Sequence, residues 1–202
     1  MASYIDHEGV QMIIMGSNGA SGWQETFFGS NAQKVIRFAH CPVLVIKHAI
    51  TKHPVSFRNI VFASDFEDQA IDAFDRLVEF GRHFGSRIHL LHVASYPEFD
   101  VSEEALMRMD RFVERCRLPV FKHGRGDINI EKGIEHFAID NKADLVAVAH
   151  YGHQPFERMF NGSVSESLVN HLELPVLVLN TEENVPNWQE FVDPNAAGIW
   201  AM

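Results

Sequence analysis

The sequence predicts an α/β fold in which helices flank a five-stranded parallel sheet, together with the C-terminal half of a second copy of that fold. Two observations lead to this prediction. Between residues 55 and 180, short apolar runs alternate with segments of helical periodicity, a spacing that is typical of right-handed βαβ units. In addition, residues 10–47 align without a gap on residues 143–180, so a strand, glycine loop, helix and strand occur twice.

The elements of the complete copy follow from the positions of its apolar residues. The predicted strands are "NIVFAS" (59–64), "IHLLHV" (88–93), "PVFKH" (119–123), "LVAVA" (145–149) and "PVLVL" (175–179). Such near-continuous hydrophobicity suits strands that are buried on both faces of a parallel sheet. The predicted inward faces of the three helices between them consist of Ile71, Phe74, Val78 and Gly81, then Leu106, Met109, Val113 and Cys116, and then Ile130, Ile134 and Phe137.

The glycine loop is the most specific part of the repeat. Its pattern is Gly, two residues, Gly, nine residues, Gly and then Ser or Thr. The first copy fits it with Gly16, Gly19, Gly29 and Ser30, and the second has Ala149, Gly152, Gly162 and Ser163. Glycines let the main chain approach phosphate oxygens, and free N–H groups at a helix start attract an anion. The loop therefore predicts phosphate binding, with tight strand-to-helix packing as the alternative reason for its glycines.

The helix after each loop is predicted to begin at a serine cap, Ser30 or Ser163. Ala149 stands where the pattern has glycine. If this position needs a positive φ or close contact with phosphate, a β-carbon there weakens the second site. The neighbouring His150 and Tyr151 would add bulk around the loop.

The repeat divides the chain into four parts. Residues 1–50 are predicted to be a partial domain, 51–56 a linker, 57–180 a complete domain and 181–202 an irregular C-terminal tail. Both copies end in a long hydrophobic strand, which must be paired or covered if it forms a sheet edge. We expect residues 43–47 to pair with residues 176–180, in the same chain or in a partner, and the exposed surface of the partial domain to favour a homo-oligomer.

Composition narrows the function. The 27 acidic residues exceed the 17 Lys and Arg residues, giving a formal charge of −10, which argues against nucleic-acid and anionic membrane partners. Two cysteines, apolar runs shorter than a membrane span and no secretion signal predict a soluble cytoplasmic protein. His89 and His92 should point to opposite faces of a strand, so they do not predict a metal site. The sequence contains no recognisable catalytic constellation, so it does not predict a dedicated active site.

The ordered motifs resemble those of the universal stress protein family. The resemblance rests on the glycine loop, on "NIVFASDFEDQA" with its Asp after the first strand, on "FGSRIHLLHV", and on "HGRGDINIEKGIEHFAIDNKADLVAVA". It covers about residues 1–180 and implies a Rossmann-like, adenine nucleotide alpha-hydrolase-like fold. The chain resembles a tandem member whose first domain lacks roughly its N-terminal two-thirds; whether Met1 is the native start is left open.

The resemblance implies an adenine-nucleotide site. Carried over position by position, its contacts are Ala63, Asp65, Val93, Val148, Ala149, Tyr151, Gly152, Gly162, Ser163 and Val164, with Gly16, Gly19, Gly29 and Ser30 in the partial first copy. The expected cofactor is ATP or another adenine nucleotide, with or without Mg²⁺, and the alternative is that no nucleotide binds. Asp65 is equally explained as a cap for the segment after it.

Three functions remain at this stage. The leading one is a cytoplasmic stress-response module regulated by ATP or AMP. The alternatives are a scaffold for dimerisation and interaction that binds no nucleotide, and a slow ATPase. The loop of the first copy has all its glycines, but that copy lacks the strands that would contact adenine. A nucleotide is therefore expected to bind to the second copy if it binds at all.

Overall fold

Seven strands and four helices make up the part of the chain that the computed structural model describes, which is residues 10–16, 35, 36, 39, 41–47, 56–150 and 162–180. The strands are β1 (Ile13–Gly16), β2 (Val43–Ile46), β3 (Asn59–Ala63), β4 (Arg87–Ser95), β5 (Val120–Asp127), β6 (Leu145–His150) and β7 (Val176–Asn180). The helices are α1 (Ile71–Phe84), α2 (Glu103–Arg115), α3 (Ile130–Asp140) and α4 (Gly162–His171), and a short 3₁₀ turn (Asp68–Ala70) precedes α1.

All seven strands belong to one sheet with the order β1-β2-β7-β6-β3-β4-β5. The five strands from β3 to β7 are parallel to one another, which confirms the predicted fold class. β3 lies in the middle of this group, where Ile60 is the register partner of both Ile88 and Leu145. Within the complete copy, the first strand in sequence thus lies in the centre, and the later strands lie on both sides of it.

Helices cover both faces of the sheet, because alternate residues of each buried strand point to opposite faces. On one face, α1 and α2 pack on β-strand side chains such as Phe62 through an aromatic group in which Phe112 lies 5.1 Å from Phe66 and 5.3 Å from Phe74, measured between ring centroids. On the other face, α3 and α4 pack on valines that include Val146. This arrangement is a doubly wound α/β fold.

The two copies of the repeat meet at an antiparallel seam. Val43 pairs with Val178, Leu44 with Leu177 and Val45 with Val176. The predicted pairing of the two terminal strands is therefore confirmed, and it occurs within the chain. β1 continues the sheet beyond this seam as a parallel neighbour of β2.

Three local predictions were wrong in extent. β5 runs to Asp127, four residues beyond the predicted strand, because Gly124 and Gly126 continue the ladder with β4 instead of ending it. A β-carbon at either glycine would collide with Val101 or with the main chain of Phe99, so these glycines allow close approach.

The other two errors concern helices. α4 begins at Gly162, so Ser163 lies within its first turn and does not cap it from outside. α2 ends at Arg115, so Cys116 follows the helix, although it packs against the core together with Leu106, Met109 and Val113 as predicted. None of the helices in the described ranges combines the length and apolar character that a bilayer-crossing segment needs.

Candidate functional site

The carboxyl ends of β3 and β6, which we call the crevice, are the position at which doubly wound α/β folds bind their ligands. The two strands are neighbours, and Ala63 pairs with Val148 in register. From β3 the chain enters α1 on one face, whereas β6 is followed by α4 on the other face. Ligands of open α/β sheets bind where successive connections part in this way.

The structure brings the predicted strand residues together at this edge. Ala63, Val93 and Val148 are buried, and all three belong to the core on the α3 and α4 face. Their side chains fill the sheet beneath the crevice. The three residues lie on the neighbouring strands β3, β4 and β6.

Asp65 lies two residues beyond β3, in the loop that leads to α1. Its Oδ1 atom accepts a hydrogen bond from the main-chain N–H of Glu67 at 3.2 Å and lies 3.3 Å from Ser64 Oγ. The hydroxyl of Ser64 in turn accepts the N–H of Phe66 at 3.0 Å. Asp65 therefore closes a turn within its own loop. The prediction that it caps the segment after it is wrong, because Glu67 and Ala70 occupy the N-cap positions of the 3₁₀ turn and of α1, and no side chain caps either element.

Ala149 replaces a glycine of the loop pattern, and its side chain is buried. Ala149 is a regular, buried residue of β6, and its side chain packs in the core on the α1 and α2 face. Its counterpart in the first copy is Gly16, at the end of β1, where an added β-carbon would lie 3.9 Å from the carbonyl oxygen of Ile46, its nearest contact among the described residues. Neither residue has a positive φ. The positive φ that would make alanine unfavourable at this position is therefore absent.

The start of α4 lies beside the end of β6. Val164 is buried in the core between the helix and the sheet. His150 is buried as well, and its Nδ1 atom lies 2.9 Å from the hydroxyl of Ser165 on α4. This histidine thus ties the strand to the helix, and the prediction that it adds bulk to the loop is wrong.

Several predicted site residues lie outside the described part of the chain. They are Gly19, Gly29, Ser30, Tyr151 and Gly152. For Gly162 and Ser163 the structure describes the helical backbone only. The juxtaposition that the structure supplies is therefore that of the three strand ends, the Asp65 loop and the start of α4.

The sequence model of the universal stress protein family matches residues 2–47 and 56–180 of this chain. The chain belongs to the universal stress protein family. A Staphylococcus epidermidis protein named as a universal stress protein is 26% identical over 151 residues, which cover 67% of this chain and 91% of that protein.

Two further similar proteins are longer than this chain. The Na(+)/H(+) antiporter NhaS5 of Synechocystis is 31% identical over 109 residues, which are 52% of this chain and 15% of the antiporter. The crystal structure of a universal stress protein from Archaeoglobus fulgidus is 24% identical, with a TM-score of 0.66 over 87% of this chain and 63% of that one. The structural likeness shows the shared fold, and this chain spans less than two thirds of either protein.

In this universal stress protein, sequence reasoning missed a cluster of basic groups around the Asp65 loop. Arg111 donates to Asp68 and, at 3.2 Å, to the carbonyl oxygen of Phe66. Arg108 lies 3.5 Å from Glu67, measured from Nη1 to Oε1. The spacing of two arginines on one helix face was visible in the sequence, but their acidic partners lie about 40 residues earlier.

His92 completes this cluster from β4. Burial lowers its pKa, and the charge of Arg108 lowers it further, whereas a hydrogen bond to the main chain of Ser64 and the charge of Asp65 raise it. His89 points to the opposite face, as predicted, where its Nδ1 atom lies 3.1 Å from Nε2 of His123. Within the described ranges, no three His, Cys, Asp or Glu side chains come together as a metal site.

Proposed function

We propose that this universal stress protein is a cytoplasmic stress-response module that binds an adenine nucleotide, ATP or AMP, at the crevice between β3 and β6. The observation that carries the proposal is the register pair Ala63 and Val148, from which the chain departs to opposite faces of the sheet. That crevice lies between the Asp65 loop and the start of α4. We assign no dedicated catalytic role, and slow ATP hydrolysis is the most that we expect.

The residues around the crevice fit a nucleotide. The N–H groups at the start of α4, a helix of ten residues, would hold phosphate together with the glycine loop that precedes it. Asp65 and the main chain at Val93 would meet the ribose and adenine. The side chain of Ala149 packs in the core on the α1 and α2 face.

A solved relative supports the choice of ligand class. A universal stress protein crystallised in complex with cAMP is 16% identical, with a TM-score of 0.50 over 63% of this chain and 99% of that one. The two proteins share a fold, so the fold accommodates a cyclic nucleotide in one of them. We extend this to adenine nucleotides in general.

Calorimetry with ATP and with AMP tests the proposal. Asp65→Asn is the informative variant, because the amide oxygen still accepts the N–H of Glu67 while the charge is lost. We expect about tenfold weaker binding in this variant, and unchanged binding in Glu114→Gln, an exposed residue of the last turn of α2. If millimolar ATP and AMP give no binding to the unmodified protein, the proposal is wrong.

A scaffold that binds no nucleotide is the second candidate, and the β2–β7 seam favours it. We propose that residues 1–50 form a partial domain joined by the linker 51–56 to the complete domain 57–180, with 181–202 as a tail. In a homo-oligomer formed through these edges, β2 of one chain would pair with β7 of another, replacing the pairing seen within the chain. Light scattering across a wide concentration range distinguishes this exchange from a monomer.

A further inference from the structure

We propose that exposed basic residues at the amino-terminal edge of the sheet form a docking site for an acidic segment of a partner protein. This surface, which we call the amino-edge patch, consists of Arg58, Arg82, Arg87, Arg117 and Lys142. It lies at the opposite end of the strands from the crevice, so the inference does not rest on the proposed nucleotide site.

The parallel sheet brings the residues of the amino-edge patch together. In the order β6-β3-β4-β5, four neighbouring strands start at the same edge of the sheet. Each has a basic residue at its first position or up to three residues before it, and in this order they are Lys142, Arg58, Arg87 and Arg117. Because neighbouring strands lie about 4.8 Å apart, the row of four residues extends over about 14 Å.

Main-chain hydrogen bonds fix the segments that carry these residues. The N–H of Arg87 donates to the carbonyl oxygen of Arg58 at 2.7 Å, which joins the start of β4 to that of β3. The N–H of Ile88 donates to the carbonyl oxygen of Pro119 at 2.8 Å, which joins β4 to the segment before β5. The backbone beneath the basic side chains is therefore held in place by the sheet.

Arg82 adds a fifth cation from the last turn of α1. Gly85 caps this helix, and its N–H donates to the carbonyl oxygen of Arg82 at 3.3 Å. A β-carbon added to Gly85 would lie 3.9 Å from Nη1 of Arg58, so the guanidinium group of Arg58 reaches the end of α1. The end of the helix and the start of β3 thus bring positive charges to the same edge.

The residues of the amino-edge patch have no acidic partners, unlike most other cations of the complete copy. All five are exposed, and within the described ranges none of them forms an ion pair with a carboxylate. Six other basic residues each contact a carboxylate, namely Arg108, Arg111, Arg115, Lys122, Arg125 and Lys132. The unpaired cations are therefore concentrated at one edge of the molecule.

The positive charge of the patch is not compensated by the segments that form it. Residues 56–58, 85–87, 116–119 and 141–144 contain one acidic residue, Asp144. Its Oδ2 atom accepts the main-chain N–H groups of Arg58 at 2.9 Å and of Asn59 at 3.0 Å. A basic surface thus stands on a protein whose formal charge is −10, and such a surface attracts a negatively charged partner.

The size and chemistry of the patch favour a short segment with carboxylate side chains. Four of the five residues are arginines, whose guanidinium groups bind carboxylates through two parallel hydrogen bonds. A segment of about four or five extended residues is as long as the row of strand starts. A long nucleic acid or an anionic membrane would also meet the rest of the acidic surface, whereas charges beyond the Debye length of about 8 Å hardly repel a short segment.

The experiment measures the binding of hexaglutamate to the full chain. The peptide is acetylated, amidated and labelled with a neutral fluorophore, and fluorescence anisotropy follows its binding. Arg58→Gln/Arg87→Gln removes two neighbouring charges of the patch. Lys122→Gln/Lys132→Gln is the matched control, because it changes the net charge equally at lysines that pair with carboxylates outside the patch. Circular dichroism verifies that each variant is folded.

We expect Arg58→Gln/Arg87→Gln to bind hexaglutamate about tenfold more weakly than the unmodified protein, and the lysine variant to differ by less than about twofold. The affinity of the unmodified protein should decrease as the salt concentration rises. The proposal is overturned if the unmodified protein binds no hexaglutamate at millimolar concentration, or if the two double variants lose the same affinity.

Two other anions distinguish the class of partner. An oligothymidylate and vesicles that contain phosphatidylserine are titrated with the same proteins, and we expect both to bind more weakly than hexaglutamate. If either binds more tightly than hexaglutamate and loses that binding in Arg58→Gln/Arg87→Gln, the patch serves a nucleic acid or a membrane, and the proposal of an acidic protein segment is wrong.

Discussion

The ammonium group of Lys47 lies 2.6 Å from the main-chain oxygen of Asn170, in the last turn of α4. Lys47 directly follows β2, in the first copy of the repeat, whereas Asn170 belongs to the second copy. Glu173 lies 3.7 Å from the same ammonium group. A cation from one copy thus satisfies a carbonyl group at the negative end of a helix in the other copy.

We predict that Lys47→Met lowers the free energy of unfolding by about 1 to 2 kcal/mol. Its side chain is only 11% exposed, and methionine keeps its apolar contacts while removing the charge and the hydrogen bond. Urea denaturation measures the change. Lys142→Met, at an exposed position, is the control and should change stability by less than about 0.5 kcal/mol. Equal effects of the two substitutions would contradict a specific contact across the seam.

Gly16 and Ala149 provide a second prediction, because they occupy equivalent positions in the two copies. Gly16→Ala should leave stability unchanged or raise it by about 0.4 to 1 kcal/mol, since the added β-carbon comes no closer than 3.9 Å to any described residue and the unfolded chain loses freedom. Ala149→Gly should lower stability by about 1 to 2 kcal/mol, because it removes a buried methyl group. Thermal unfolding measures both changes.

The same pair bears on the ligand site. Because the Ala149 side chain packs away from the crevice, Ala149→Gly should leave nucleotide affinity unchanged. A marked gain in ATP affinity, measured by calorimetry at a temperature where the variant is folded, would show that the methyl group obstructs the site.

The sequence was sufficient to predict the parallel sheet and the seam, because both depend on local apolar runs. "PVLVI" and "PVLVL" are hydrophobic along their whole length, and they form the β2–β7 ladder. The extent of β5 could not be read in this way. Gly124 and Gly126 look like strand breakers until Val101 and Phe99 are found against them.

For the site, sequence reasoning found the strand ends but misjudged the side chains between them. The positions of Ala63, Val93 and Val148 follow from the strand pattern. The orientation of His150 towards Ser165 depends on how α4 crosses the sheet, a tertiary property that the pattern does not contain. The hydrogen bond from Arg111 to Asp68 joins residues 43 positions apart, so it too depends on the tertiary structure.

The histidine pair on the α3 face leads to a third prediction, which concerns pH. Burial lowers the pKa of His89, with a further effect of Arg87, and burial also lowers the pKa of His123, with a further effect of His89. Both rings are therefore neutral in the folded protein at pH values where they take up protons in the unfolded chain. The unfolded state then binds more protons, so stability must rise with pH in this range.

We expect the free energy of unfolding to be fully retained above pH 6.5 and to fall as the pH decreases from there towards 5.5. Each group contributes at most about 1.4 kcal/mol per pH unit. Urea denaturation at the two pH values measures the loss. The double variant His89→Gln/His123→Gln should lose less stability than the unmodified protein, whereas His171→Gln, on the exposed face of α4, should behave like the unmodified protein.

Gly133 is the residue through which α3 approaches the candidate site, and it gives a fourth prediction. A β-carbon added there would collide with Val93 Cγ1 and would lie 3.1 Å from Val93 Cγ2 and 3.2 Å from the β-carbon of Asp127. Val93 is buried and β-branched, so it has little freedom to move aside. The absence of a side chain at Gly133 therefore sets the distance between α3 and the end of β4.

Alanine in a helix is normally about 1 kcal/mol more favourable than glycine. We predict that Gly133→Ala nevertheless lowers stability by about 1 to 3 kcal/mol, the usual cost of overpacking, and weakens AMP binding because Val93 is displaced. Gly81→Ala in α1 is the matched control. Its β-carbon meets the flexible end of Leu118 at 3.0 Å, and this half-buried side chain can yield. Urea denaturation and calorimetry on both variants separate the effect of close packing at Val93 from that of helix propensity, which is common to both substitutions.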